Sequence, residues 1–188
     1  MEITTRDLMT VLHGMGFGAL FMLAFAGALA ELYRITAPGD HRMSDTAQKL
    51  LSFYLVAMVV LAWLTVFTGA YLVYPWYRAV APAGANLADY PKALLVSNPL
   101  TSEWHDIGME WKEHVAWLAP IAMTMVAYVI MKYRRAIVQH RNMRTSVLTF
   151  TAAAFLATGV AGAFGAFLNK YAPVRGGTPI ILMQGETK

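Results

Sequence analysis

Four long stretches without a charged side chain constrain the fold of this chain more than any other feature of its sequence. They cover residues 8–30, 50–74, 115–131 and 147–168. An α-helix rises about 1.5 Å per residue, so about 20 apolar residues cross a hydrocarbon core about 30 Å thick. The flanking residues 109–114 and 132–133 extend the shorter third stretch. We therefore predict an all-α integral membrane protein, a four-transmembrane-helix bundle with spans at about 8–33, 50–77, 109–133 and 146–169.

The composition excludes most other classes of protein. Of the 188 residues, 57% are hydrophobic and 14% are charged, whereas an average soluble domain has about 25% charged residues. The chain has no cysteine, which excludes thiolate zinc sites, iron–sulfur clusters and thioether-attached haem. A metal or cofactor would therefore need His, Met, carboxylate or backbone ligands. The whole chain, residues 1–188, is interpreted as a single membrane domain.

The distribution of Lys and Arg predicts the orientation. Eight of them lie in the two short loops after the first and third spans, and the other seven are spread over nearly twice that length. The eight are Arg34, Arg42, Lys49, Lys132, Arg134, Arg135, Arg141 and Arg144. The positive-inside rule then places both loops in the cytoplasm and both termini on the outer side, as in a multi-pass protein of a prokaryotic inner (plasma) membrane. The net charge of +4 indicates topology and contact with anionic lipid, with no nucleic-acid partner.

Two segments lie outside the predicted spans on the outer side. Residues 75–113 form the outer loop, in which a short helix is predicted over residues 101–113 with Thr101 or Ser102 as its N-cap. The C-terminal tail, residues 172–188, contains two prolines and two glycines within residues 173–179. We expect this tail to lie along a partner or to hang free.

A weak internal repeat relates the two halves of the chain. A shift of 101 residues places His13 on His114 and Arg34 on Arg135, and a shift of 96 places residues 69–72 (GAYL) on residues 165–168 (GAFL). A true repeat would give two pseudo-repeated helix hairpins that face each other across an axis along the membrane normal. Chance in an apolar alphabet is the alternative.

Two of the five histidines lie at the heads of predicted spans. His13 is in the first and His114 in the third, so the topology predicts that they lie at similar depth on the outer side. An imidazole there is costly unless it is paired, coordinated or in contact with water. Two facing imidazoles can hold a planar metal macrocycle, whereas His41 and His140, in the cytoplasmic loops, are expected to be solvated.

Residues around this pair suit a haem. Gly14 and Gly18 leave space beside His13, and Arg78 and Arg175 are available to the propionates at the outer rim. The predicted cofactor site therefore consists of His13, His114, Gly14, Gly18, Arg78 and Arg175, with the two histidines as iron ligands. Close helix packing is the alternative role of the glycines.

His105 is the rival ligand. It lies beside Asp106, with Glu110 and Glu113 further along the predicted outer helix. A histidine next to a carboxylate can accept a proton near a quinol site. A solvated interfacial helix face is the alternative.

With His13 at the head of the first span and His114 at the head of the third, the chain resembles the small membrane-bound b-type cytochromes that serve as electron-transfer subunits. The resemblance is architectural and covers the four spans. It implies one b-type haem near the outer face, electron transfer between the quinone pool and a periplasmic redox partner, and other membrane and periplasmic redox subunits in a larger complex. A quinone is a further candidate ligand. The sequence departs from the two-haem members because it lacks a second histidine pair within the spans.

Two other functions stay open. A non-redox subunit that anchors a respiratory or photosynthetic complex would have the same spans and short loops. A transporter or channel is less favoured, because no span carries a charged residue. An electron-transfer or anchor subunit of an oxidoreductase complex is therefore favoured over an enzyme that acts by itself.

Overall fold

Four long helices dominate the computed structural model, which describes residues 2–36 and 44–181. Helices α1 and α2 are Thr5–Arg34 and Asp45–Tyr77, and a short helix α3 is Pro91–Val96. Helix α4 consists of the candidate span Pro99–Tyr133 and its continuation to Gln139, and helix α5 is Arg141–Tyr171. The predicted all-helical fold is confirmed, and α1, α2, α4 and α5 are long and apolar enough to cross a membrane. This is typical of a multi-pass membrane protein.

The long helices form a bundle in which chain neighbours pack side by side. Helix α1 packs mainly against α2 and α5, and α4 packs against the same two helices, so α1 and α4 are diagonal to each other. The core contains Phe21 and Phe25 of α1, Leu55 of α2 and Met123 of α4, each at most 1% exposed. Helices 1 and 3 of the predicted bundle therefore lie across its axis from one another.

The outward faces of the helices are also apolar. Leu23 of α1 is 73% exposed and Phe53 of α2 is 72% exposed. Only 11–39% of each helix's most hydrophobic 18-residue window is buried within the protein. Such surfaces are costly in water and favourable in lipid.

Hydrogen bonds between helices fix the bundle at several levels. The Tyr54 hydroxyl of α2 donates to the Ala24 carbonyl of α1 at 2.6 Å. The Trp63 indole of α2 donates to the Thr124 hydroxyl of α4, and the Trp111 indole of α4 donates to the Ala157 carbonyl of α5. Side chains that donate across helices in this way specify which helix faces lie together.

The first and the last described segments of the chain pair with each other at one end of the bundle. Strand β1 (Glu2–Thr4) pairs antiparallel with strand β2 (Pro179–Ile181), and the Thr5 amide donates to the Thr178 carbonyl at 3.0 Å. Gly177 has φ +98°, a conformation that favours glycine, and a Cβ at this position would overlap the Thr5 hydroxyl. The described part of the tail is therefore fixed to the N-terminal segment, which the sequence did not predict. We call this the terminal end and the opposite one the basic end.

Helix extends further than predicted next to the third and fourth spans. The helix expected at residues 101–113 begins at Pro99, with Asn98 and not Thr101 or Ser102 as its N-cap, and it continues directly into the third span. At the basic end, α4 continues past a kink at Tyr133 to Gln139, and α5 starts at Arg141. Only His140 separates them, so this basic loop is mostly helix. His41 and Arg42 lie outside the described residues.

Candidate functional site

Stretches of π-helix mark the terminal half of the bundle. They are Leu12–Ala19 in α1, Gly69–Val73 in α2, and Trp104–Met109 and Trp111–Val115 in α4. These stretches contain His13, His105 and His114. π-Helical turns are uncommon and are frequently found at functional sites.

The His13 imidazole is directed into the interface between α1 and α2. Its Nδ1 lies 3.2 Å from the Thr68 hydroxyl, and its Cε1 lies 2.7 Å from the position that a Cβ on Gly69 would occupy. The ring therefore fits against the backbone of α2 only because residue 69 has no side chain.

The Thr68 hydroxyl determines which nitrogen of His13 carries the proton. Thr68 donates its hydrogen to the Leu64 carbonyl at 2.6 Å, so its oxygen accepts from His13 Nδ1–H. We therefore assign the neutral tautomer with the proton on Nδ1, which leaves a lone pair on Nε2. Metal-binding histidines are commonly oriented in this way.

Lys112 of α4 approaches the same region from the other hairpin. Its Nζ lies 2.8 Å from the position of a Cβ on Gly165 of α5, and its charge acts on the His13 imidazole. Within the described residues, no carboxylate forms an ion pair with Lys112.

His114 is directed away from the bundle. Its side chain is 69% exposed, and its Nδ1 lies 3.3 Å from a carboxylate oxygen of Glu110 and 3.1 Å from the Glu110 carbonyl. The structure therefore places His13 and His114 in different environments and does not bring their rings together. The ligand role of His114 stays a prediction from the sequence.

The two glycines of the predicted site also differ. A Cβ on Gly18 would lie 3.6 Å from the Thr65 methyl group, so Gly18 lies at the α1–α2 interface, as the helix-packing alternative expects. A Cβ on Gly14 would have nothing within 4 Å. Gly14 therefore leaves open space one residue after His13.

The two predicted propionate partners lie at the terminal end. Arg78 donates to the Tyr74 hydroxyl at 2.6 Å, with its guanidinium 5.4 Å from the centre of that ring. The Arg175 side chain is exposed, and its carbonyl accepts from Arg6 at 3.2 Å. Both are at the expected end of the molecule, but contact with a propionate stays a prediction.

A second polar pair lies where α2 meets the start of α4. The Tyr77 hydroxyl is 2.8 Å from His105 Nδ1, and Tyr77 is 5% exposed. The charges of Glu113 and Asp106 act on both side chains. A buried phenol bonded to an imidazole is suited to proton transfer, which is the role that the sequence suggested for His105. Nothing in the sequence connects Tyr77 with residue 105, so this pair is found only in the structure.

A haem is compatible with part of the predicted donor set. His13 offers a lone pair on Nε2, but the space beside Gly69 is filled by the His13 ring itself, and the open space beside Gly14 lies on the exposed surface of α1. Among the described residues, no three His, Asp or Glu side chains form a group that could hold a metal ion. A haem does not need such a group, because its macrocycle supplies four ligands and the protein supplies only the axial ones.

No family model matches this sequence, and no curated protein or solved structure shows significant similarity to it.

Proposed function

We propose that this chain is a multi-pass membrane subunit of an electron-transfer complex and that it binds one b-type haem near its terminal end, with His13 as an axial ligand. The observation that carries the proposal is the orientation of His13: Thr68 accepts from Nδ1, and Nε2 has no hydrogen-bond partner among the described residues. When bound, a haem supplies one-electron transfer. The protein's part is to hold the imidazole, exclude water and position charges near the propionates.

The orientation of the chain is part of this proposal. Lys49, Lys132, Arg141 and Arg144 lie at the basic end, and the positive-inside rule assigns that end to the cytoplasm of a prokaryotic inner membrane. The terminal end then faces the periplasm. A periplasmic redox subunit would find two surfaces there, helix α3 and the β1–β2 ribbon. A quinol at this end would find a proton acceptor in His105.

A reduced-minus-oxidised absorption spectrum of the protein purified in detergent tests the proposal. We expect a sharp b-type band in the wild type, loss of most of it in His13→Ala, and retention in His140→Ala. His140 is a matched control because it is an exposed histidine at the basic end. Absence of the band in folded wild-type protein would contradict the redox function.

A cofactor-free anchor subunit is the second candidate. It is favoured by the outward direction of His114, which offers its imidazole to a neighbouring subunit and not to the bundle interior. In that case the wild type would lack haem, and His114→Ala would weaken the association with the other subunits while the isolated chain stayed folded. Co-purification of the complex from the native membrane, with wild type and variant compared, distinguishes the two functions.

A further inference from the structure

A groove between α4 and α5 opens at the surface of the bundle, beside the first ten residues of α5. Its volume is about 240 Å³. Val126 and Val147 are buried and form its floor, whereas Met125 and Phe150 are exposed and form its walls. Nearly all of this lining is apolar. The groove therefore suits a segment of one hydrocarbon chain and not a polar ligand.

Two polar side chains complete the lining at the basic end of the groove. Asn142 and Ser146 lie in the first two turns of α5, and both are exposed. An amide and a hydroxyl can each donate a hydrogen bond to an anion. A groove that has donors at one end and is otherwise apolar matches an amphiphile, with a polar headgroup and a hydrocarbon tail.

Lys132 of α4 adds a positive charge to the same face. Residues three, four and seven apart lie on one face of a helix, so Lys132 continues the stripe of Met125 and Val129. Its exposed ammonium donates to the Tyr128 hydroxyl at 2.6 Å and lies 5.1 Å and 5.3 Å from the ring centres of Tyr128 and Tyr133. The described residues give it no ion pair. The tyrosines therefore hold the ammonium at the protein surface without neutralising its charge.

The charge around the groove is of one sign. Residues 132–144 include five basic residues and no acidic one. The five are Lys132, Arg134, Arg135, Arg141 and Arg144. No Asp or Glu occurs between Glu113, in the terminal half of α4, and Glu186. On the neighbouring helices, Glu31 pairs with Arg34 at 2.6 Å, and Asp45 lies in the first turn of α2. Such a cluster beside a membrane attracts anionic headgroups.

We propose that the α4–α5 groove binds one anionic phospholipid. One acyl chain lies in the groove, and the headgroup phosphate contacts Lys132, Asn142 and Ser146. A lipid is favoured over a free phosphate because the space next to these donors is apolar. An anionic lipid is favoured over a zwitterionic one because the surrounding charge is positive. The inference rests on the membrane-spanning fold and not on the haem.

Native mass spectrometry of the delipidated protein in detergent tests the selectivity. The probes are phosphatidylglycerol and phosphatidylcholine with identical acyl chains, and we expect phosphatidylglycerol to bind more tightly. Lys132→Gln should weaken its binding about fivefold, which corresponds to the loss of one cation at the membrane surface. Lys49→Gln is the matched control, because Lys49 is an exposed lysine at the same end of the bundle but on α2. It should bind phosphatidylglycerol as the wild type does.

A phosphatidylglycerol with a diazirine in its acyl chain locates the bound lipid. We expect it to label peptides that contain residues 125–129 and 143–150, and unlabelled phosphatidylglycerol should compete. Glycerol phosphate, which has no acyl chain, should not compete. Val129→Phe, which places a ring in the groove, should reduce the labelling, whereas Val60→Phe on the exposed face of α2 should not.

Several outcomes would overturn the inference. Equal affinities for the two lipids would contradict the selectivity, and an equal effect of Lys132→Gln and Lys49→Gln would mean that the basic end attracts lipid through its net charge alone. Labels spread evenly over the four long helices, or competition by glycerol phosphate, would contradict the groove as the site. The reduced-minus-oxidised spectrum tests the haem separately, because Lys132 and His13 lie at opposite ends of the bundle.

Discussion

At the scale of single residues, the His13 imidazole is positioned by neighbours on α2. Thr68 accepts from its Nδ1, and Gly69 leaves the space that the ring fills. Both residues are more than 50 positions away in the sequence, and neither belongs to a motif. Their substitution tests whether the orientation of His13 has the role proposed above.

Replacing Thr68 by Val removes the acceptor for His13 with little change in shape. We expect about a 10- to 100-fold loss of haem affinity, as is usual when the partner of a ligating histidine is removed, and about 1 kcal/mol lower stability. Titration of the apoprotein with haem measures the first effect and thermal unfolding the second. Thr68→Ser keeps the hydroxyl and is the control; equal affinities in the two variants would argue against this role of Thr68.

Replacing Gly69 by Ala places a methyl group on the His13 ring. In a helix this change usually stabilises by about 0.5–1 kcal/mol, but here the contact at 2.7 Å forces a shift that we expect to cost about 1–3 kcal/mol. The free energy of unfolding, measured in one detergent, is compared between Gly69→Ala and the control Gly162→Ala. The control adds a methyl group where nothing lies within 4 Å. Equal stabilities of Gly69→Ala and Gly162→Ala would contradict the prediction. So would a double variant, His13→Ala with Gly69→Ala, in which the alanine at residue 69 still lowers the stability.

At the scale of the elements, the ends and the π-helical turns of the helices decide which side chains meet. Helix α4 begins at Pro99 because Asn98 caps it: its side chain accepts from the Leu100 amide at 2.9 Å. The start of α4 carries His105 to Tyr77, and its π-helical turns direct Lys112 inward and His114 outward. Hydropathy predicted the apolar part of this helix but not its first two turns, where the candidate proton-transfer pair is built.

Replacing Asn98 by Ala should loosen the start of α4 and leave the bundle intact. Loss of a side-chain N-cap costs about 0.5–2 kcal/mol, and we expect it to appear as faster amide hydrogen exchange in residues 99–105. The exchange of residues 147–168 in α5 should not change. Asn86→Ala is the control, because Asn86 caps only the three-residue turn Leu87–Asp89. Unchanged exchange at the start of α4 would mean that this cap has little effect.

At the scale of the whole molecule, the bundle separates a terminal end from a basic end. Strands β1 and β2 pair at the terminal end. Helices α4 and α5 meet at His140 at the basic end. The cytoplasmic assignment of the basic end depends on the positions of Lys and Arg, which act during insertion and leave the packing of the helices unaffected.

Single cysteines test this orientation in a chain that has none of its own. Ala83 is exposed in the segment between α2 and α3, and Gln139 is exposed where α4 ends. We expect Ala83→Cys to react with a membrane-impermeant maleimide in intact bacterial cells after permeation of the outer membrane only. Gln139→Cys should react only after the inner membrane is opened. The reverse pattern would place the basic end outside.

Much of the fold could be predicted from the sequence for one physical reason. Charge-free stretches of about 20 residues have few stable arrangements other than helices that satisfy their own backbone hydrogen bonds. The four long helices were therefore predicted correctly. The starts of α4 and α5 were not, because a cap such as Asn98 and a one-residue junction such as His140 leave no trace in hydropathy.

The candidate site, like the fold, could be predicted from the sequence only in part. The sequence by itself determined that no ligand can come from Cys, and it predicted His13 as a ligand from its depth in the first span. Only the tertiary structure decided what faces His13, because the direction of a side chain depends on helical phase and on the helix opposite. The π-turns of α4 set that phase, so Lys112 is directed inward and His114 outward, although a regular repeat had matched His114 to His13.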